Sequence, residues 1–242
     1  MRNLFYHSMA LLVVVIWGVT FVNTRVLITA GLNPQDVFLL RFAMAYICIW
    51  TISPRQIFSK NVKDEILMCL LGILGGSLYF VTENYAVKFT SVNDVSFIAN
   101  ISPLLTVIIA LMLYKTVKCS WMLVVGSVMA LVGLGFVIFK DHFQLNLQSL
   151  GDLLALASAT SWAFYSLLIK KAADRYSSLF ITRKVFFYGV LSILPIYFFE
   201  PWSFPVENFL KPEVWGNLVF LASLPLSCAS PFGAGWLPSW VL

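Results

Sequence analysis

Apolar residues run in blocks of about 20, near 8–28, 36–53, 66–87, 91–114, 120–139, 150–169, 180–199 and 214–230, with short polar connections between them. Each block has roughly the length that a helix needs to cross a hydrocarbon core. The blocks are apolar all round instead of alternating, which predicts transmembrane helices and not barrel strands. The pattern therefore predicts an all-α, polytopic membrane protein of about seven to eight transmembrane helices. The eighth block starts normally at Val214 and is then interrupted by Pro225, Pro231 and Pro238, with Gly233 and Gly235 among them. Start signals mark some helices: Asn33-Pro34 reads as an N-cap with proline at the first helical position, and Ser177-Ser178 as a weaker counterpart.

The pattern breaks most informatively around Tyr79–Ser91, where two blocks meet through almost no loop. Glu83, Asn84, Asn93, Asp94, Ser96 and Asn100 sit where hydrocarbon is expected, and polar groups in a bilayer mark functional sites by default. The bland alternative for Glu83, Asn84, Asn93 and Asp94 is capping beside a hydrated turn; Asp94, three residues after Ser91, fits a cap. Lys88 reads as an interfacial anchor or as a partner for Glu83. Asn100 lies deeper, and Pro103 frees the carbonyl of Ala99, which a kink would turn toward a cavity. Ser96, Asn100 and Pro103 are therefore candidate cavity-lining residues. Arg41 lies five residues after Asp36, about 7.5 Å into its helix. It either snorkels to the interface, pairs with a carboxylate such as Asp36, or faces the cavity, because unrelieved burial costs ~2.5–3.5 kcal/mol. Arg183 and Lys184 read more simply as anchors.

Composition sharpens the class. The chain is 60% hydrophobic and only 11% charged, against roughly 25% charged in soluble domains. The net charge of +5 does not point to nucleic acid, because the basic residues sort by connection. Arg2, Arg55, Lys60, Lys63, Lys115, Lys118, Lys170, Lys171 and Arg175 fall in one set of connections; Arg25, Lys88, Lys140 and Lys211 fall in the other. The positive-inside rule makes the first set and the N-terminus cytoplasmic. The first block continues past Trp17 to Ile28 without a clear cleavage site, so it reads as a span and not as a signal peptide. Cys48, Cys69, Cys119 and Cys228 lack C-x-x-C spacing and read as small apolar residues. His7 and His142 have no neighbouring ligand set, so no metal, cofactor or catalytic residue is expected.

Order and spacing also suggest a repeat. Ala10–Arg25, with Trp17, can be laid on Ala155–Lys170, with Trp162, and Phe38-Leu39-Leu40-Arg41 on Phe180-Ile181-Thr182-Arg183. A unit of five spans is odd, so its second copy enters from the opposite side, an inverted repeat of the kind common in secondary transporters. The expected division is a first repeat over 1–139, a connecting loop over 140–149 and a partial second repeat over 150–242.

Asn84-Tyr85-Ala86-Val87-Lys88-Phe89-Thr90-Ser91, with Ser96 and Ser102-Pro103-Leu104-Leu105-Thr106, resembles the junction of the third and fourth helices in EamA-type members of the drug/metabolite transporter superfamily. Trp17-Gly18 with Phe21, and Arg41-Phe42, look like the opening helices of the same repeat. The resemblance implies a ten-helix inverted-repeat carrier in the cytoplasmic membrane that moves small metabolites through a central cavity. It places Trp17, Phe21, Tyr79, Trp162 and Tyr165 around that cavity, where aromatic faces either pack or bind amphipathic solutes. Tyr114-Lys115-Thr116 stands where the family usually has a glutamate, so no role of that carboxylate carries over.

The expected function is a secondary carrier, exporter or exchanger, of a small-molecule substrate, with the lipid bilayer as its surroundings. A truncated, non-transporting fragment is the alternative that the prolines after Leu224 suggest. An intramembrane hydrolase built on Ser77 is disfavoured, since neither histidine lies mid-span. The residues leave the oligomeric state open, a homodimer included.

Overall fold

The computed structural model describes residues 2–52, 57–113, 121–138 and 150–229. Described residues are helical wherever they form regular structure, with no strand among them. The chain is an all-α, polytopic membrane protein. In order, the helices are α1 (Arg2–Thr29), α2 (Pro34–Ile52), α3 (Val62–Gly72), a π-turn (Ile73–Leu78), α4 (Tyr79–Phe89), α5 (Val92–Ala99), α6 (Ser102–Leu113), α7 (Trp121–Ile138), α8 (Leu150–Ala173), α9 (Ser178–Ile193) and α10 (Pro212–Ala229). Short 3-10 turns at Leu194–Phe198 and Val206–Leu210 join α9 to α10. Among the described residues, Val62–Phe89, Val92–Leu113, Leu150–Ala173 and Ser178–Phe198 are continuous segments long and apolar enough to cross a membrane.

Local chemistry sets the helix ends. α1 stops because Gly31, at φ +106°, takes the left-handed conformation; Leu32 N–H then reaches back to the Leu27 carbonyl at 3.1 Å. α2 starts at Pro34, with the Asn33 carbonyl accepting from Asp36 and Val37, as the Asn-Pro signal predicts. Ser91 accepts from Asp94 N–H at 3.1 Å and caps α5, and Ser177 accepts from Phe180 N–H at 3.4 Å at the start of α9. The expected break near Pro103 falls slightly earlier, at Asn100–Ile101 between α5 and α6. Proline tolerates an early position in α6 but cannot bond back to Ala99. At the other proline site, α10 stays helical through Pro225 to Ala229, so the interruption expected at Pro225 is not found. Pro231, Gly233, Gly235 and Pro238 lie outside the described residues, as do Tyr114-Lys115-Thr116 and the connection at 140–149.

Three apolar clusters hold the bundle. Phe38, Phe42, Ile49, Met68, Leu71, Ile181 and Phe186 join α2, α3 and α9. Leu27, Val37, Phe204, Val214, Leu218 and Leu221 join α1, α2 and α10. Ala86, Val87, Val95, Ile98 and Ala155 join α4, α5 and α8. Helices approach closely where a Cβ on Gly72 would stand 2.4 Å from Tyr188 Cβ, and one on Gly76 3.3 Å from Gly189 Cα. Small residues permit such crossings in membranes, where packing replaces the hydrophobic drive between helices. Many large apolar side chains point outward, Met112, Trp121, Met122 and Phe136 among them, as a lipid-facing surface requires.

α2 and α9 run antiparallel: Asp36, at the start of α2, bonds Tyr197, just past the end of α9, and Phe42 meets Phe186 midway at 5.0 Å. α2 packs on α10 as α9 packs on α3, and α1 packs on α10 as α8 packs on α4.

Candidate functional site

The polar break in the apolar pattern folds into the bundle. Glu83 is 6% exposed and Asn84 2%, on the face of α4 turned to α2 and α8. Asn84 Nδ2 donates to the Pro34 carbonyl at 3.0 Å, across to the start of α2, while its Oδ1 is buried without a partner. Arg41 does not snorkel. It is 8% exposed, and its guanidinium lies 4.4 Å from the Phe80 ring centroid. Its Nε is buried and unbonded. Asp36 is not its partner, since that carboxylate accepts from Tyr197 at 2.8 Å. Glu83 is the carboxylate whose field Arg41 feels, and Tyr79 stands beside Glu83 one turn back on α4. Arg41 and Glu83 are not in direct ion-pair contact, so each retains bonding capacity while buried.

Aromatic rings extend from this pair. Tyr79 packs on Phe80 at 4.6 Å and on Trp162 at 4.8 Å. Trp162 continues to Tyr165 at 5.0 Å and meets Trp17 edge-on at 6.2 Å. Trp17 and Trp162, the residues matched in the repeat, thus touch each other. Tyr165 packs over Gly75 in the π-turn, so closely that a Cβ there would sit 2.3 Å from its ring. Phe21 packs beside the cluster of Ala86, Val95 and Ala155. The structure therefore joins Arg41, Tyr79, Glu83, Trp162, Tyr165 and Trp17 in one group drawn from α1, α2, α4 and α8.

Ser96, Asn100 and Pro103 are not drawn into that group. Ser96 donates to its own helix at Asn93, Asn100 Nδ2 donates to the Ser96 carbonyl at 2.7 Å, and Pro103 is exposed. Lys88 is exposed and faces Tyr85 instead of Glu83. Ser77 accepts from Ser192 at 2.7 Å and donates to the Ile73 carbonyl, with no histidine in this set.

Elsewhere a cleft of about 510 Å³ opens between the π-turn and α8, lined by Leu74, Leu78, Leu153, Leu156, Ala157, Thr160, Ser161 and Phe164. At 100° per residue, Leu153, Leu156, Thr160 and Phe164 share one face of α8, and Trp162 lies on the opposite one.

Sequence reasoning missed a polar network at the end of the bundle that carries the α2–α3 and α8–α9 connections. Asp64, 3% exposed, accepts from Arg175 at 2.6 Å, Tyr176 at 2.8 Å and Asn61 at 3.1 Å. Glu65 accepts from Lys184, from Tyr188 and from Ser59 N–H. Arg183 and Lys184 are 4% and 5% exposed, which corrects their reading as interfacial anchors: Lys184 turns to α3 because a carboxylate waits there. Burial pushes the Tyr176 phenol up from its ordinary value, so it remains a hydrogen-bond donor.

Comparison with known proteins agrees with this architecture. A protein called an uncharacterized transporter from Archaeoglobus fulgidus is 22% identical over 225 residues, covering 90% of this chain and 75% of its own. The uncharacterized transporter YyaM of Bacillus subtilis is 26% identical, covering 92% of this chain and 74% of its own. A solved crystal structure shares the fold with a TM-score of 0.59, at 22% identity over 95% of this chain and 77% of that one. The EamA-like transporter family matches residues 4–139 and 149–232, and on that extent of match the chain belongs to it.

Proposed function

We propose that the protein is a secondary carrier of small organic metabolites, exporting or exchanging them through a site between two mutually inverted halves, 1–139 and 150–242, joined by 140–149. The observation that carries this reading is the buried Arg41–Glu83 pair. Its two ionisable groups sit deep in the bundle without direct pairing, beside rings contributed by both halves. Burying two such groups is costly, and a solute that bonds to them offsets the cost while it passes. The rings of Tyr79, Trp162 and Tyr165 supply flat apolar faces for its carbon skeleton. Trp17 and Phe21 border this group from α1, and Asn84 offers a free acceptor.

Two features support inversion: the antiparallel α2–α9 pair, and the exchange of neighbours between α1–α4 and α8–α10. The distribution of Lys and Arg supports a cytoplasmic N-terminus in the cell membrane. The test is counterflow in proteoliposomes across a panel of amino acids, organic acids, amines and nucleosides. At least one solute should exchange, with exchange abolished in Glu83→Gln; flux that is absent across the panel, or indifferent to Glu83 and Arg41 alike, sinks the reading.

A further inference from the structure

Besides Ser192–Ser77 and Ser161–Leu74 at the π-turn, polar contacts cross between the halves at each end of the bundle. At the end with the α1–α2 connection, Tyr197 donates to Asp36 at 2.8 Å, while Gln35 at 2.9 Å and Tyr85 at 2.7 Å both donate to Glu200. Asn33 adds a bond to Ser203 at 3.0 Å. All these donors are neutral. At the opposite end the donors to Asp64 and Glu65 include two cations, Arg175 and Lys184, together with Tyr176 and Tyr188. Carboxylate acceptors give charge assistance at both ends, and the cationic donors add the attraction of an ion pair at the second. Lys184 is further held among the rings of Phe58, Tyr188 and Phe180, at 5.3, 5.4 and 5.8 Å. Both ends carry cross-half contacts in this structure, but of unequal strength.

We propose that Asp64 and Glu65, with Arg175, Tyr176, Lys184 and Tyr188, form a gate between the halves, one that holds the α8–α9 end shut and makes the protein open first at the α1–α2 end. The inference rests on the carrier reading above. The groups suit a reversible contact. Arg175 keeps 60% of its side chain in solvent and Glu65 23%, so water can take over their bonds when the contact parts. A permanent staple would have no such outlet. Asp64 and Glu65 start α3, whose far continuation through the π-turn carries Glu83, so the gate and the site lie on one continuous segment. Opening at the gated end must part α3 from α9 and from the α8–α9 turn, which breaks all four donor contacts together.

The test is spin-label distance measurement in lipid, on full-length protein with its native cysteines replaced. One label pair, at Lys63→Cys and Asp174→Cys, reports the gated end; another, at Lys88→Cys and Glu207→Cys, reports the opposite end. Glu65→Gln and Lys184→Met should each raise the separated population at the gated end roughly tenfold, leaving the other pair unchanged. The reversed pair Glu65→Lys with Lys184→Glu should restore closure, and Tyr197→Phe should loosen only the far end. Should Lys184→Met fail to fold, Glu65→Gln and Tyr188→Phe carry the test. Distances at the gated end that stay unchanged in Glu65→Gln, or that loosen equally at both ends, overturn the gate. Because distances are read without solute, a loss of flux with gating intact counts against the carrier reading alone.

Discussion

The two faces of α8 offer contrasting cases of what looks like a site. On one face, Leu153, Leu156, Thr160 and Phe164 border a cleft of about 510 Å³. On the other, Trp162 and Tyr165 pack ring on ring beside Tyr79 and adjoin buried Arg41 and Glu83. In a bilayer, an apolar cleft between outward-facing helices is filled by acyl chains at no cost, because the lipid is as apolar as the walls. A buried charge has no such easy explanation. The unmet bonding capacity of its lining distinguishes a transport site from a lipid groove, and volume alone does not.

Substitutions can break that contrast. The largest effect is expected for Arg41→Ala, which leaves Glu83 buried without its cation: stability falls by on the order of 3 kcal/mol, read by thermal unfolding in detergent, and flux is lost. Glu83→Gln keeps shape and removes charge, so flux should fall much more than melting temperature. Gly75→Ala comes next, at about 1–3 kcal/mol, because its Cβ would strike the Tyr165 ring. Tyr165→Leu in the same chain should recover stability, and a failure to do so would place the strain in the π-turn backbone instead. Trp162→Phe keeps a ring near Tyr79 but loses reach to Trp17, and should raise the half-saturating solute concentration with little change in maximal flux. The smallest effect belongs to the cleft. Thr160→Ala removes only a bond to its own helix at Leu156, so it should stay within about 0.5 kcal/mol of wild type and transport normally. Thr160→Trp, which fills the cleft, should also transport; blocked flux there would move the pathway to the outer face of α8.

What could be read from the sequence follows from the range of each signal. Span positions and caps are local, so the Asn33-Pro34 start, the Ser91 cap and the break before Pro103 were legible within a few residues of tolerance. Glu83, Asn84 and Arg41 announced themselves by polarity against an apolar background. The partners of Asp64 and Glu65 on α8 and α9 and the turn between them lie 111 to 123 residues away, and no periodicity links residues at that separation. Lys184 looked like an anchor because anchoring needs no partner, whereas its true environment depends on how α9 packs on α3. The failure of Ser96 and Asn100 to join the central group has a similar origin. Their polarity was legible, but satisfying it required only the nearest turn of their own helix.

The π-turn at Ile73–Leu78 was not legible at all, since glycines in a membrane helix serve close packing equally well. It fits one more residue into a turn than an α-helix would, and thereby fixes the angular phase between Glu65 below and Glu83 above. Deleting one residue within 73–78 would let plain α-helical winding carry the same phase, whereas the same residues wound as α-helix would rotate one acidic residue about 100° relative to the other. In that second case either Glu65 would leave Lys184, or Glu83 would leave Arg41. The segment Val62–Phe89 thus works as a keyed shaft, in which both ends engage only while the wide turn takes up the extra residue.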